Sequence, residues 1–89
     1  MIDTKNYRIV EREDFNEYWR NNILECIAFN DGWTLWYNEK FNLSKTTGPA
    51  VIKPDGTSFW YLNGLLHNEN GPAIIRNTET ENWIKGVKI

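Results

Sequence analysis

One cysteine, Cys26, and one histidine, His67, stand in a chain of 89 residues. A lone cysteine forms no internal disulfide, and a lone Cys and His make no zinc site without carboxylates, so neither a metal nor a cofactor is expected. A reducing setting, the cytoplasm, is the simplest context for such cysteine usage. Runs of Lys and Arg are missing too, and the formal net charge is -2. Nucleic-acid affinity depends on cationic neutralisation of phosphates, so a phosphate-tracking surface is not expected as the main function. No 18-residue apolar stretch occurs, and Met1 to Asn6 is polar. Neither a membrane span nor a secretory signal is therefore expected.

Aromatic residues are abundant: five Trp, four Tyr and four Phe make up 15% of the chain. Each large ring supplies about 150 to 250 Å² of buriable surface, so the rings either build a small core or extend outward as a contact patch. They recur in an internal repeat. Asp31-Gly32-Trp33-Thr34-Leu35-Trp36-Tyr37 returns as Asp55-Gly56-Thr57-Ser58-Phe59-Trp60-Tyr61 at an offset of 24, and Gly48-Pro49-Ala50-Val51-Ile52 returns as Gly71-Pro72-Ala73-Ile74-Ile75 at an offset of 23. A third, truncated copy holds Trp83 and Lys85-Gly86, and Cys26-Ile27 aligns with Ala50-Val51 as the remnant of an earlier one. Asp55-Gly56 and Asn63-Gly64 are turn signals between short strand-like runs, so each repeat reads as a β-hairpin within an antiparallel meander.

The first third has another pattern. Tyr7 to Val10 suits a strand, whereas Phe15, Tyr18, Trp19 and Ile23 fall at helical spacing, with Glu13 and Asp14 near one end and Arg20 near the other. This predicts a helix over residues 12 to 21. The expected fold is α+β and mainly β, a single domain over 1–89. In it an N-terminal strand and helix (1–22) pack on an antiparallel β-meander of hairpin repeats (23–89).

Trp60-Tyr61-Leu62-Asn63-Gly64-Leu65-Leu66-His67-Asn68-Glu69-Asn70-Gly71-Pro72-Ala73 resembles the W-Y-x-N-G-x-x-H-x-x-x-G-P-A repeat of many small proteins of large tailed bacteriophages and of some other large viruses and bacteria, which are distantly similar to MORN-type β-hairpin repeats. The resemblance covers roughly residues 31 to 89. It implies phage origin and a role in host takeover or counter-defence, by binding and blocking a host protein. The first copy departs from the pattern: it lacks the Asn-Gly turn after Trp36-Tyr37 and has no matching His.

The candidate site is an aromatic surface beside an acidic helix. Trp36, Trp60 and Trp83, at successive repeat positions, are expected on one sheet face, with Tyr37, Tyr61 and Ile84 on the other. Trp33 faces no ring in the next repeat and is the candidate exposed anchor. Glu13, Asp14 and Glu17 give the helix a negative face suited to a basic groove on a nucleic-acid enzyme. His67 is expected to serve a turn, Cys26 to be a buried inert thiol, and Glu79 and Glu81 to protect a strand edge. No catalytic set is visible. The leading expectation is a non-enzymatic protein-binding module, a phage-encoded inhibitor of a host enzyme or defence protein. The alternatives are a single-stranded nucleic-acid binder stacking bases on Trp, with Lys40, Lys45, Lys53, Arg76, Lys85 and Lys88 as its cations, and a self-assembling protein or homodimer.

Overall fold

Six reversals of the chain carry a left-handed residue in the computed structural model, which describes residues 6–89. The polar start, Met1 to Lys5, read above against a signal segment, lies outside the described residues. Three reversals place two positive φ angles in succession, Asn21-Asn22 (51°, 63°), Asn63-Gly64 (52°, 84°) and Lys85-Gly86 (49°, 82°). That is the backbone a two-residue hairpin needs, because its twist matches that of the flanking strands. Gly32 and Gly56, at φ 110° and 89°, close the two Asp-Gly turns.

Twelve strands follow. They are β1 (Arg8–Glu11), β2 (Phe15–Arg20), β3 (Ile23–Phe29), β4 (Thr34–Trp36), β5 (Val51–Ile52), β6 (Ser58–Phe59), β7 (Tyr61–Leu62), β8 (Leu65–Leu66), β9 (Ile74–Ile75), β10 (Thr80–Glu81), β11 (Trp83–Ile84) and β12 (Val87–Lys88). Eight form one antiparallel sheet in the order β1-β2-β3-β4-β5-β6-β9-β10. The pairs β7-β8 and β11-β12 are separate hairpins, and a bridge between Tyr37 and Leu43 marks a third, closed by a longer loop.

The helix expected over 12–21 is absent, and the α+β expectation is corrected to all-β among the described residues. Residues 15 to 20 are β2, paired on both sides, with Ile9 opposite Tyr18 in β1 and Phe15 opposite Phe29 in β3. Two hydrogen-bonded ladders outweigh the weak preference that a helical spacing of rings expresses. The helical spacing is coincidental: Tyr18 and Trp19 alternate across β2, Tyr18 packing on Tyr7 and Trp19 bonding Glu17 two residues before it, and the register shift beside them adds its extra residue, Glu25, to β3.

Hydrogen-bond register shows which residues hold equivalent places. Trp36 N–H donates to Ala50 O at 2.7 Å, and Trp60 N–H donates to Ala73 O at 2.7 Å. The same hairpin pairing joins Ile27 to Leu35, Val51 to Phe59, Ile74 to Glu81 and, in the first hairpin, Val10 to Glu17. Cys26, Ala50 and Ala73 therefore occupy one position, and all three are 0% exposed. Small residues are needed there because each main-sheet hairpin passes into its neighbour at that point. Around them Tyr18, Val51 and Ile74 complete a thin core in which Cys26 is the largest fully buried side chain.

The outlying hairpins repeat their own joints. Lys45 N–H donates to Tyr61 O and Asn68 N–H to Trp83 O, both at 3.1 Å; Gly64 N–H donates to Leu43 O and Gly86 N–H to Leu66 O, both at 2.8 Å. Asn63 N–H is accepted by Ser44 Oγ at 3.0 Å, and Lys85 N–H by His67 Nδ1 at 2.9 Å. His67 thus stands where the first copy has Ser44. Each satisfies a turn amide of the following hairpin, a longer-range duty than the turn role expected of His67.

Candidate functional site: the clefts at Trp36 and Trp60

The same register separates the expected tryptophan column. Lys85-Gly86 matches Asn63-Gly64, and β11-β12 pairs as β7-β8 does, so Trp83 holds the place of Tyr61 and Asn82 that of Trp60. The joint bonds agree, since His67 N–H donates to Trp60 O and Ile89 N–H to Asn82 O, both at 2.9 Å. Trp36 and Trp60 are equivalent; Trp83 belongs with Tyr37 and Tyr61, and Ile84 with Leu62. The missing residue falls in the turn before β10, ahead of Trp83. Trp83 ties its hairpin to β10, its Nε1–H donating to Glu81 Oε1 at 3.0 Å.

Trp33 sits just past the Asp31-Gly32 tip, half-buried, with the Lys53 ammonium 5.7 Å from its ring centroid. Its backbone place is that of Thr57: each N–H bonds the Asp side chain two residues earlier, at 3.3 Å to Asp31 and 2.9 Å to Asp55. Glu13 and Asp14, expected on a helix, lie exposed at the tip of the β1-β2 hairpin, where their carbonyls accept the side-chain and backbone N–H of Asn30. Glu17, in β2, is engaged by Arg12 at 3.3 Å and Trp19 Nε1–H at 3.0 Å. Those two donors, Trp19 first, hold its carboxyl below the usual range. Among the described residues there is no helix to carry an acidic face, and the three acids expected on it divide between the β1-β2 tip and β2.

Trp36 and Trp60 do come together as one surface. Each forms the wall of a cleft of its own, about 460 Å³ at Trp36 and 520 Å³ at Trp60, and Lys45, Thr46 and Thr47 line both. The walls are made of matched parts: Ser44, Lys45, Thr46 and Thr47 stand at Trp36 as His67, Asn68, Glu69 and Asn70 stand at Trp60. Both rings are half-buried. Gly71-Pro72 finishes the wall at Trp60, where a Cβ on Gly71 would meet the Asn68 amide at an ordinary contact distance of 3.7 Å.

The clefts differ in their electrostatics. At Trp36 the Lys45 ammonium lies 3.5 Å from the ring centroid, and the neighbouring Tyr7 ring, 6.4 Å away, carries the Arg20 guanidinium at 4.4 Å. Glu25 in the same wall accepts the Tyr7 hydroxyl at 3.0 Å. Burial raises the Tyr7 hydroxyl pKa, with the Glu25 carboxylate adding to the shift. At Trp60 no cation lies over the ring among the described residues.

No protein family, no curated protein and no solved structure matches the chain.

The remaining candidates are accounted for locally. His67 is 9% exposed, its Nδ1 taken by Lys85 N–H and its Nε2 3.3 Å from Glu69 Oε1. The Cys26 thiol is pushed up to about 12 by burial, which suppresses the reactive thiolate. No group of three or more His, Cys, Asp and Glu able to hold a metal occurs among the described residues, and no helix there is long and apolar enough to cross a membrane. The matched clefts escaped sequence reasoning because they are built by backbone register; the shared signal was Ser44-Lys45 against His67-Asn68 at the same offset.

Proposed function

We propose that this protein is a non-enzymatic protein-binding module that docks its partner across the adjoining clefts of Trp36 and Trp60. The observation that carries the reading is the pair of half-buried tryptophans in equivalent frames, joined by the wall of Lys45, Thr46 and Thr47. Half-buried Trp rings held by a rigid ladder present large apolar area at little entropic cost, which suits them as interface anchors. Several cations that a nucleic-acid binder would aim at phosphates are engaged elsewhere. Lys45 lies on Trp36, Lys53 beside Trp33, and Arg76 and Lys88 on Glu81 at 2.6 and 3.6 Å. This favours a protein partner. The resemblance of residues 31 to 89 to phage hairpin repeats supplies the setting of the proposal, a phage-encoded inhibitor of a host enzyme or defence protein acting in the host cytoplasm.

The test is capture from host lysate on the immobilised protein, with a Trp36→Ala/Trp60→Ala double variant beside it. A stoichiometric protein retained by the native chain and lost with the variant supports the proposal. Retention of nothing, or equal retention by both, overturns it.

A further inference from the structure

The two clefts share a frame but not a content, and the filled one indicates what the other accepts. At Trp36 the position after Ser44 is Lys45, whose ammonium lies 3.5 Å from the ring centroid. At Trp60 the matching position after His67 is Asn68, which turns away: its Nδ2–H donates to Pro72 O at 3.0 Å and its Oδ1 accepts Asn70 N–H at 3.1 Å. The ring of Trp60 is left without the cation its equivalent holds.

We infer that the Trp60 cleft takes the side chain of a lysine from the partner protein, its ammonium over the indole as Lys45 lies over Trp36. The walls suit both parts of that side chain. Leu62, Pro72 and Ile75 offer apolar surface for the methylene stem. The ring quadrupole attracts the ammonium. At the rim stands Glu69, 71% exposed on its side chain, whose Oε1 meets His67; its carboxylate is the cleft's own anion, while Lys45, the one Lys or Arg in the lining, has its ammonium over Trp36 in the adjoining cleft, and the chain's net charge of -2 favours approach of a basic segment. A volume of about 520 Å³ is ample for one such side chain. The inference rests on the partner-binding reading and names the chemistry of one contact within it.

The test follows the five indole N–H resonances of the full chain during titration with acetyl-Gly-Lys-Gly-amide and with its norleucine counterpart. A saturable shift at Trp60 with the lysine peptide is expected, with Trp36 unmoved because Lys45 already covers it, and a much smaller response to norleucine. Trp60→Leu should weaken the lysine response at Leu62 and Glu69 amides by roughly 3- to 30-fold. Asn68→Lys should fill the cleft from within and abolish the response while shifting the Trp60 indole in the free protein. The Ala50 and Ala73 amides report whether each variant keeps its fold. Equal shifts with both peptides overturn the lysine inference and leave the partner-binding reading standing, the cleft then being merely apolar. A silent Trp60, or equal shifts at every indole, also overturns it. The partner-binding reading falls separately, by failure of the capture experiment above.

Discussion

His67 accepts the backbone N–H of Lys85 through Nδ1 at 2.9 Å, so the only histidine of the chain ties one hairpin to the next. Ser44 does the same for Asn63 one repeat earlier. An acceptor at Nδ1 leaves the ring proton on Nε2, which points at Glu69 Oε1 at 3.3 Å. The ring is thereby committed to structure at both nitrogens. His67→Ala strands a turn amide in a 9%-exposed site and should cost about 1 to 3 kcal/mol, with faster hydrogen exchange at Lys85 and Gly86. Ser44→Ala, in a more open site where water can replace the hydroxyl, should cost about 0.5 to 1.5 kcal/mol. Chemical denaturation compares the two, and a larger loss for Ser44 would contradict the assignment.

The β2-β3 turn separates strand from helix directly. Asn21 and Asn22 have φ of 51° and 63°, conformations that cost a Cβ-bearing residue unless its side chain is Asn or Asp. Asn22→Gly should leave stability unchanged or raise it by up to about 1 kcal/mol, and Asn22→Ala should lower it by about 1 kcal/mol. A helix through this segment would reverse the order, since Ala is the best helix former and Gly among the worst. Denaturation midpoints of the two variants decide.

Turns were the legible part of this fold. Asp55-Gly56 and Asn63-Gly64 close hairpins where the sequence placed reversals, and their repeat equivalents Asp31-Gly32 and Lys85-Gly86 do the same, because glycine supplies the positive φ that each demands. The stretch around Tyr18 and Trp19 misled, because rings on both faces of a strand fall there at helical spacing; the countersignal was Asn21-Asn22, a poor helix interior and a good hairpin turn. Trp83 was misassigned because a spacing of 23 from Trp60 is also the spacing of the Ala50 and Ala73 blocks. Aligning Lys85-Gly86 on Asn63-Gly64 gives 22 and the correct partner, Tyr61. Of the candidate site, Trp36 and Trp60 were visible as equivalents. Lys45 lying over only one of them was not, since Lys45 and Asn68 differ in identity and share only their backbone places.

Glu81 gathers Arg76 at 2.6 Å, Trp83 Nε1–H at 3.0 Å and Lys88 at 3.6 Å on the outer strand of the sheet, more than the edge protection expected of it. Arg76 first, then Trp83, hold its carboxyl below the usual 4.5. A lowered acid stabilises the fold above its unfolded value and loses that contribution as pH falls through the folded one, so the effect belongs to the window below pH 4.5. Glu81→Gln should flatten the acid limb of the stability curve there and redden Trp83 emission at neutral pH. An acid limb identical to that of the native chain would argue against this cluster.

Cys26 has the opposite sign. Burial raises its thiol from 9.0 to about 12, so the unfolded chain ionises first and stability fades as pH climbs from 9.0 towards 12. Cys26→Ala should remove that part of the alkaline decline. In the native chain, alkylation at pH 8 should proceed only at the rate of opening; prompt labelling would mean that the thiol is not enclosed.

Thr47 lines both tryptophan clefts, whereas Thr78, in the β9-β10 turn, lines neither. The most direct measurement replaces each in turn with a photo-crosslinking benzophenone residue and irradiates the protein in host lysate. A single covalent adduct of stoichiometric yield from position 47, with none from position 78, is the predicted result. Equal labelling from both positions, or labelling from position 78 alone, would contradict a binding surface at Trp36 and Trp60.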